Sequence, residues 1–305
     1  NYIWKPVPAS AEMKQVSKNT RRCAREGLLL VLPLTAGCGL FYAVPFLMVL
    51  QNSFQRGTGR SRENVGIETY RSMLRSGVFQ LAFGNTLKFL AVALPLIILL
   101  SYAIALLLKN HARKHEALKS VLLLPYIMPV VGTVLLVELL FAQTGLVNRG
   151  LYTLGLPVAD WLHSKAAFWV VIALYLWKNT GYSVILLLSG LITIPEDHYA
   201  AASLDGATAW QQLRYITMPQ MWYSVFFAAV FSLINAFKCF REIFLIGGTH
   251  PDQSIYMLQH FINNAFDKLN YPKLAVASVL LLLVLTVLFA LSYRWVRRKE
   301  AYKDA

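Results

Sequence analysis

The sequence predicts an all-α integral membrane protein with six transmembrane helices and a pair of short cytoplasmic helices between the fourth and fifth spans. The first observation behind this prediction is composition: the 305 residues are 57% hydrophobic and 14% charged, whereas a soluble domain carries about 25% charged residues. The second is the length of the apolar runs, which are uninterrupted and do not alternate. Runs of about 20 apolar residues are typical of helices that cross a membrane.

Six apolar runs define the predicted topology. In order, they predict spans at about 27–50, 83–108, 120–141, 166–192, 222–246 and 274–293. Lys and Arg cluster in the N-terminal segment 1–26, the loop 109–119 and the tail 294–305. Because such residues concentrate in cytoplasmic segments, both termini and this loop are predicted to be cytoplasmic. The loop 51–82 is then extracytoplasmic, although its five arginines fit that side poorly.

Several classes of function lack the residues that they need. The net charge of +14 does not indicate a nucleic-acid partner, because the basic residues stand beside membrane spans and set topology. No Gly-Lys pair occurs, so the chain has no phosphate-binding loop, and another chain must supply any energy source. His111 and His115 lack the His-Glu-x-x-His arrangement of zinc proteases, and no metal site is expected. The serines within the predicted spans have no His or Asp nearby, so nucleophilic catalysis has no candidate centre. The three cysteines are predicted to be free thiols.

The polar segment 195–219, between the fourth and fifth spans, carries the strongest local signals in the chain. Glu196 and Asp197 follow a proline and place negative charge where the dipole of a helix N-terminus favours it. The dipeptide Asp205-Gly206 then predicts the end of this first helix. Glycine tolerates the left-handed conformation that is common just past a helix C-terminus.

A second helix is predicted directly after this bend. Thr208 and Gln211 have the three-residue spacing of a capping box, which starts a helix. Pro219 is expected to close it. Three apolar residues are expected on one side of this second helix: Trp210, Leu213 and Ile216. A bent helix pair between two spans indicates a surface on which another protein docks.

Two pieces of this segment resemble a family motif. The run 199–207 (YAAASLDGA), followed by 216–219 (ITMP), resembles the EAA loop of ABC-importer permease subunits, particularly those of the carbohydrate-uptake group. That family's pattern is roughly Glu-Ala-Ala, a three-residue spacer, Gly, and a distant Ile-x-Leu-Pro. The resemblance extends over about 79–293, where the second to sixth spans form the permease core of the family, and the first span is a more variable addition.

The resemblance implies that this loop contacts a cytoplasmic ATPase. The residues to which it assigns this contact are Glu196, Tyr199, Ala200, Ala201, Ala202, Asp205, Gly206, Ala207 and Pro219. Two positions depart from the pattern, because Ala200 replaces the family's Glu and Met218 replaces its Leu. An ion pair usually assigned to that Glu is therefore in question here, with Glu196 or Asp197 as a substitute.

Charged residues within the predicted spans are the candidates for a transport pathway, since they are costly in a membrane and usually face a cavity or a partner. They are Glu138, Lys178, Lys238, Arg241 and Glu242. Lys238 and Glu242 are four residues apart and Asn235 precedes Lys238 by three, so all three can share a helix face. In one interpretation, Lys238 and Glu242 only neutralise each other or snorkel to the interface.

The other interpretation is a polar stripe that lines a sugar pathway, because sugars bind through hydroxyl hydrogen bonds and stacking on aromatic rings. The residues assigned to this pathway are Trp177, Lys178, Asn235, Phe237, Lys238 and Glu242. The section 244–266, with its Gly-Gly-Thr turn, Tyr256 and Phe261, also resembles sugar permeases of the family. It supports a di- or oligosaccharide as cargo.

The resemblance implies a multi-pass protein of a prokaryotic cell membrane that imports a carbohydrate and is not itself an enzyme. Its expected partners are a second permease, a cytoplasmic ATPase dimer that holds ATP and Mg²⁺, an extracytoplasmic solute-binding protein and the lipid bilayer. Two alternatives remain. One is an ABC importer for a non-sugar solute such as glycerol phosphate. The other is a carrier driven by an ion gradient, in which Glu138 and Glu242 would form a proton route. A membrane enzyme is disfavoured because no catalytic centre is evident.

Overall fold

The computed structural model describes residues 26–57, 63–109 and 116–300. Within these ranges the chain is helical over most of its length and contains a single two-stranded hairpin. The predicted all-α class is therefore confirmed. Almost all of the predicted N-terminal segment 1–26, the end of the predicted tail 294–305, and both His111 and His115 lie outside the described residues.

The helices alternate long apolar segments with short connecting ones. In chain order they are α1 (Glu26–Ser53), α2 (Glu68–Leu74), α3 (Gly77–Leu108), α4 (Glu116–Ile127), α5 (Val130–Phe141), α6 (Leu146–Thr153), α7 (Ala167–Ile192), α8 (Glu196–Leu204), α9 (Ala209–Gln212), α10 (Met218–Gln220), α11 (Trp222–Lys238), α12 (Phe240–Gly247), α13 (Leu258–Asp267) and α14 (Tyr271–Glu300). The hairpin joins β1 (Gln55–Arg56) antiparallel to β2 (Glu63–Asn64), with Gln55 opposite Asn64.

Six helical segments of the described chain are long and apolar enough to cross a membrane. They are Glu26–Ser53, Gly77–Leu108, Val130–Thr153, Ala167–Ile192, Trp222–Gly247 and Tyr271–Ala290. The third differs from its predicted position at 120–141, because that stretch is split into α4 and α5 at Pro129. Pro129 adopts an extended ψ of 144°, and proline cannot continue a helical hydrogen-bond ladder and also restricts the residue before it.

The helix α7 lies at the centre of the fold. In its most apolar window 61% of the residues are buried within the chain, whereas none are buried in that of α1. It packs against α3, α4 and α11. Tyr175 of α7 is fully buried, meets the ring of Phe89 edge-on at 5.5 Å and donates a 2.7 Å hydrogen bond to the carbonyl of Ser232. At Gly181 a Cβ would lie 1.7 Å from the carbonyl oxygen of Leu122, so only glycine permits this approach of α4.

Contacts between residues distant in sequence identify the two ends of the bundle. At one end the side-chain amide of Asn85 donates to the carbonyls of Gln253 and Tyr256 at 2.6 and 3.0 Å. At the other end the Nζ of Lys109 lies 3.6 Å from the ring centroid of Tyr199. The segment 195–219 therefore lies at the opposite end from the loop after α12, as six alternating spans require.

Candidate functional site

The first helix of the segment 195–219 ends in the predicted bend. Gly206 has a φ of +79°, in the left-handed region that favours glycine. The N–H of Ala207 donates to the carbonyl of Ala202 at 2.9 Å, and the N–H of Gly206 donates to that of Ser203 at 3.1 Å. This pair of bonds is the Schellman arrangement that satisfies the last carbonyls of a helix. Gly206 is therefore the hinge between α8 and α9.

The start of the second helix is as predicted, but its course is different. Thr208 and Gln211 form the capping box, with the N–H of Thr208 donating to Gln211 Oε1 at 2.7 Å. After α9 the chain widens into a π turn at Leu213–Thr217 and continues as α10. The helical run ends at Gln220, one residue after Pro219, close to the predicted end. Pro219 lies in the first turn of α10, where its missing N–H has no helical partner to lose, and the π turn before it absorbs the irregularity.

The three apolar residues assigned to one side of the second helix do not share one environment. Trp210 is exposed, whereas Ile216 packs against the buried residues at this end of α7 and α11, and Leu213 is half-buried. The π turn changes the residue period between Trp210 and Ile216, so a straight-helix pattern does not hold across it.

Tyr199 attaches this helix pair to the spans. Its hydroxyl lies 3.0 Å from Thr217 Oγ1, and the Nζ of Lys109, at the end of α3, lies over its ring. Gln212 joins α8 to α9 through a 2.9 Å hydrogen bond from Nε2 to Ser203 Oγ. The helix pair is thus held together internally by Tyr199 and Gln212 and is linked to the end of α3 through Lys109.

Three large apolar residues of the helix pair are exposed. Leu204 is 90% exposed, Tyr215 71% and Trp210 65%. These residues lie outside the candidate spans, so lipid does not account for their exposure. Large exposed apolar patches on soluble surfaces mark protein interaction sites. The residues predicted to contact the ATPase fall into two groups by exposure. The exposed group is Glu196, Ala200, Ala201, Asp205 and Gly206. The half-buried group is Tyr199, Ala202, Ala207 and Pro219.

A buried ion pair joins the fourth and fifth spans. Lys178 Nζ donates to Glu242 Oε1 at 2.5 Å, and the side chain of Glu242 is 5% exposed. The expected pairing of Glu242 with Lys238 is therefore wrong. The helix is interrupted at Cys239, between α11 and α12, so the four-residue spacing does not bring the two side chains together, and Lys178 from α7 takes the place of Lys238.

A polar cavity of about 230 Å³ surrounds this ion pair. It lies between α7 and α11–α12, with one wall contributed by the break between α4 and α5. Four of the six residues assigned to a pathway line it: Lys178, Asn235, Lys238 and Glu242. The cavity thus brings together side chains from two spans that are distant in sequence.

The other two pathway residues do not reach this cavity. Trp177 is exposed and does not line this cavity, and Phe237 packs against the central core and lines a separate, much smaller cavity. Sequence reasoning also missed lining residues. They are Tyr126 and Asn179, whereas Arg241, which also lines the wall, is among the charged candidates of the sequence analysis. Asn179 directly follows Lys178, and its position next to a charged group in a span was the available signal.

One oxygen of the ion pair has no hydrogen-bond donor in the part of the chain that the structure describes. Glu242 Oε2 is buried and accepts no hydrogen bond from the described residues. A buried carboxylate oxygen without a donor costs free energy unless a ligand or water supplies one. Glu242, whose side chain lines the cavity, therefore retains an acceptor that no described donor satisfies.

Comparison with known proteins places the chain in a family. Residues 97–302, more than half of its length, match the family described as binding-protein-dependent transport system inner membrane component. The trehalose/maltose transport system permease protein MalF of Thermococcus litoralis is 28% identical over 286 residues, which cover 92% of this chain and 97% of that protein. The sn-glycerol-3-phosphate transport system permease protein UgpA of Yersinia pestis is also 28% identical, with the same coverage of 92% and 97%.

A solved structure shares the fold. One chain of the crystal structure of a bacterial ABC transporter involved in the import of the acidic polysaccharide alginate superposes with a TM-score of 0.77 at 22% sequence identity, covering 93% of this chain and 99% of that chain. The resemblance of the loop at 199–219 to that of ABC-importer permeases is confirmed by the family match. The chain belongs to the family of inner-membrane components of binding-protein-dependent transport systems.

Proposed function

We propose that this chain is one permease subunit of an ATP-driven importer whose cargo is a di- or oligosaccharide. The observation that carries the sugar assignment is the polar cavity around Glu242, in a chain similar along most of its length to a trehalose/maltose permease. A sugar needs several hydrogen-bond donors and acceptors at once. The amides of Asn179 and Asn235, the hydroxyl of Tyr126 and the unpartnered oxygen of Glu242 supply both kinds of group.

The helix pair at 195–219 is the proposed link to the ATPase. Its exposed apolar residues fit a protein groove, Lys109 joins it to the end of α3, and Ile216 packs against a buried cluster that includes Ala228 of α11. When ATP closes the two ATPase subunits, a displacement of this helix pair would be transmitted to both spans as a rigid-body movement. ATP and Mg²⁺ are bound by the ATPase in this scheme, and the present chain supplies the lever and part of the path.

A second permease completes the pathway. The cavity of about 230 Å³ is smaller than the roughly 300–1,000 Å³ of ordinary ligand pockets, so a disaccharide requires an additional wall. Glu138 lies in the third candidate span and is exposed on the surface of this chain. A carboxylate at membrane depth is costly against lipid, which supports a protein partner on that face.

The proposed orientation places both termini and the segment 195–219 in the cytoplasm, beside the ATPase. The opposite end, with the loops after α1 and α12, then receives the extracytoplasmic binding protein. An ion-gradient carrier has no use for an exposed docking face between its fourth and fifth spans, and the family match supports the importer.

The test is ATP-dependent uptake by the isolated complex. We expect a tagged form of this chain to copurify with a second permease and an ATPase that contains a phosphate-binding loop, both identified by mass spectrometry. In liposomes with the binding protein outside, ATP trapped at the ATPase side should drive sugar uptake. Uptake that needs an ion gradient and ignores ATP would contradict the proposal.

A further inference from the structure

We propose that the cavity around Glu242 recognises an anionic carbohydrate, one that carries a carboxylate or a phosphate group, through Lys238 and Arg241. This inference rests on the proposed function and names the substrate class of the same site. The relatives leave that class open, since their named cargoes include both the neutral sugars trehalose and maltose and an acidic polysaccharide. The substrate class of this chain is therefore inferred from its own residues.

The charges that line the cavity do not cancel. Lys178 and Glu242 neutralise each other through their direct contact. Lys238 and Arg241 also line the cavity, and within the described ranges neither lies within 4 Å of a carboxylate. Two positive charges therefore remain in the wall. A charged group at membrane depth is costly and is retained where a partner or a ligand compensates it.

The break in the fifth span adds to the same polarity. The helix α12 begins at Phe240, so its first turn, which contains Arg241 and Glu242, forms part of the cavity wall. Helix N-termini carry partial positive charge and N–H groups that have no helical acceptor. Lys238, in the last turn of α11, is by contrast at a helix end that favours a cation. The backbone thus favours negative charge at this turn, where Glu242 already lies beside Arg241.

A second observation comes from the opposite end of the spans from 195–219. Two neighbouring cavities of about 450 and 440 Å³ lie there, and both are lined by Ser76, Phe261, Asn270 and Lys273. Lys268 lines the first and Arg56 the second, while no Asp or Glu occurs among the described residues of either wall. Walls of one charge sign raise the local concentration of oppositely charged solutes. Anions would therefore be favoured both at this end of the spans and in the cavity around Glu242.

Three probes of similar size separate charge from sugar structure. We would measure binding of maltotriose (neutral), trigalacturonate (carboxylates) and trehalose 6-phosphate (phosphate) to the complete permease–ATPase complex in nanodiscs. The binding protein is omitted because its own selectivity would mask that of the membrane site. The double variant Lys238→Gln/Arg241→Gln removes the two charges. Lys165→Gln, at an exposed position outside the cavity, is the matched control.

We expect at least one anionic probe to bind about tenfold more tightly than maltotriose, a ratio that a single charge-assisted contact can supply. The double variant should lose that preference, and Lys165→Gln should keep it. Added salt should weaken binding of the anion to the wild-type complex and leave maltotriose unchanged, which provides a readout that does not depend on any variant folding. The phosphate and carboxylate arms identify which anion is preferred.

The inference is overturned if maltotriose binds the wild-type complex as tightly as both anions, or if the preference survives in the double variant. These results are distinct from failure of the proposed function. A complex that couples ATP to uptake of a neutral sugar and rejects both anions keeps the importer and removes the anionic substrate. If the chain assembles with no ATPase, both the importer function and the anionic substrate are contradicted.

Discussion

At the scale of single residues, the Lys178–Glu242 pair is the main electrostatic feature of the membrane region. Both groups are largely withdrawn from solvent, with side-chain exposures of 14% and 5%. Breaking a buried ion pair by removing one partner is strongly destabilising, because the other charge is left uncompensated. Lys238 lines the same cavity but is exposed, so its removal leaves no buried charge uncompensated.

The first prediction compares the two lysines. Lys178→Met should lower the folded yield in membranes, by an amount corresponding to about 3–5 kcal/mol, and Lys178→Met combined with Glu242→Gln should recover most of it. Lys238→Met should leave the yield near that of the wild type. Fluorescence-detected size exclusion of the three variants measures this. An equal loss of yield from Lys238→Met would show that the ion pair is assigned wrongly.

His260 is a second residue whose chemistry is set by burial. It is fully buried on α13, where the backbone N–H of Met257 donates to its Nδ1 at 3.2 Å and the ring of Phe240 meets it edge-on at 4.8 Å. Loss of solvation, with a smaller effect of the nearby His250, lowers the pKa of His260 from 6.5 to about 4. The imidazole is therefore neutral in the folded protein at pH 7.

The second prediction is a loss of stability in mild acid. Below pH 6.5 the unfolded chain binds a proton at this residue that the folded chain does not bind until about pH 4, so stability present above pH 6.5 is lost as the pH falls through that window. From pH 7 to 5 the loss should be about 2 kcal/mol. Gln at this position can still accept from Met257 and does not titrate. The acid-induced drop in the thermal midpoint should therefore be smaller in His260→Gln, and equal drops would contradict the assignment.

At the scale of elements, the bend between α8 and α9 determines the shape of the docking segment. Gly206 has open space around its Cα, so its conformation and not crowding demands glycine. The Schellman bonds at its amino side and the capping box at its carboxyl side fix the two helices relative to each other. A strained hinge would misplace the exposed face without disturbing the spans.

The third prediction replaces this glycine. Gly206→Val forces a β-branched side chain into a left-handed conformation at a cost of about 1–3 kcal/mol, and transport should be lost while the ATPase retains its basal hydrolysis. Gly155→Val is the matched control, because Gly155 also has a positive φ, of +72°, in open space, but lies in the loop after α6. ATP-driven uptake in liposomes is measured for both variants, and only Gly206→Val should lose it. Normal uptake by Gly206→Val, or equal loss in both variants, would remove the bend from coupling.

The fourth prediction concerns the exposed face itself. Trp210→Ala should weaken attachment of the ATPase by about thirtyfold, the effect of removing an aromatic residue worth about 2 kcal/mol at an interface. Thermal stability of the permease should be unchanged, because Trp210 makes little contact within the chain. Tyr152→Ala serves as the control, at a position on α6 that is 78% exposed against 65% for Trp210. Retention of the ATPase by Trp210→Ala in titrated binding would place the docking surface elsewhere.

At the scale of the whole molecule, the features predicted correctly are those determined by residues close together in the sequence. The all-α class follows from long apolar runs, and the bend at Gly206 and the capping box at Thr208 follow from turn chemistry. The Lys178–Glu242 pair was not accessible in this way, because its members are 64 residues apart and only packing of α7 against α11 joins them. The interruption at Cys239 has no proline or glycine to mark it. The π turn at Leu213–Thr217, which accommodates Pro219, was likewise not predicted from the sequence pattern.

The central claim is that the segment 195–219 transmits an ATPase cycle to the cavity between α7 and α11–α12. Labelling of Lys238→Cys by a membrane-impermeant thiol reagent tests it most directly, in the assembled complex with the three native cysteines replaced. Access from the side opposite 195–219 should rise when ATP is trapped at the ATPase, and this rise should vanish when Gly206→Val is added. Labelling that is the same with and without trapped ATP would contradict the account.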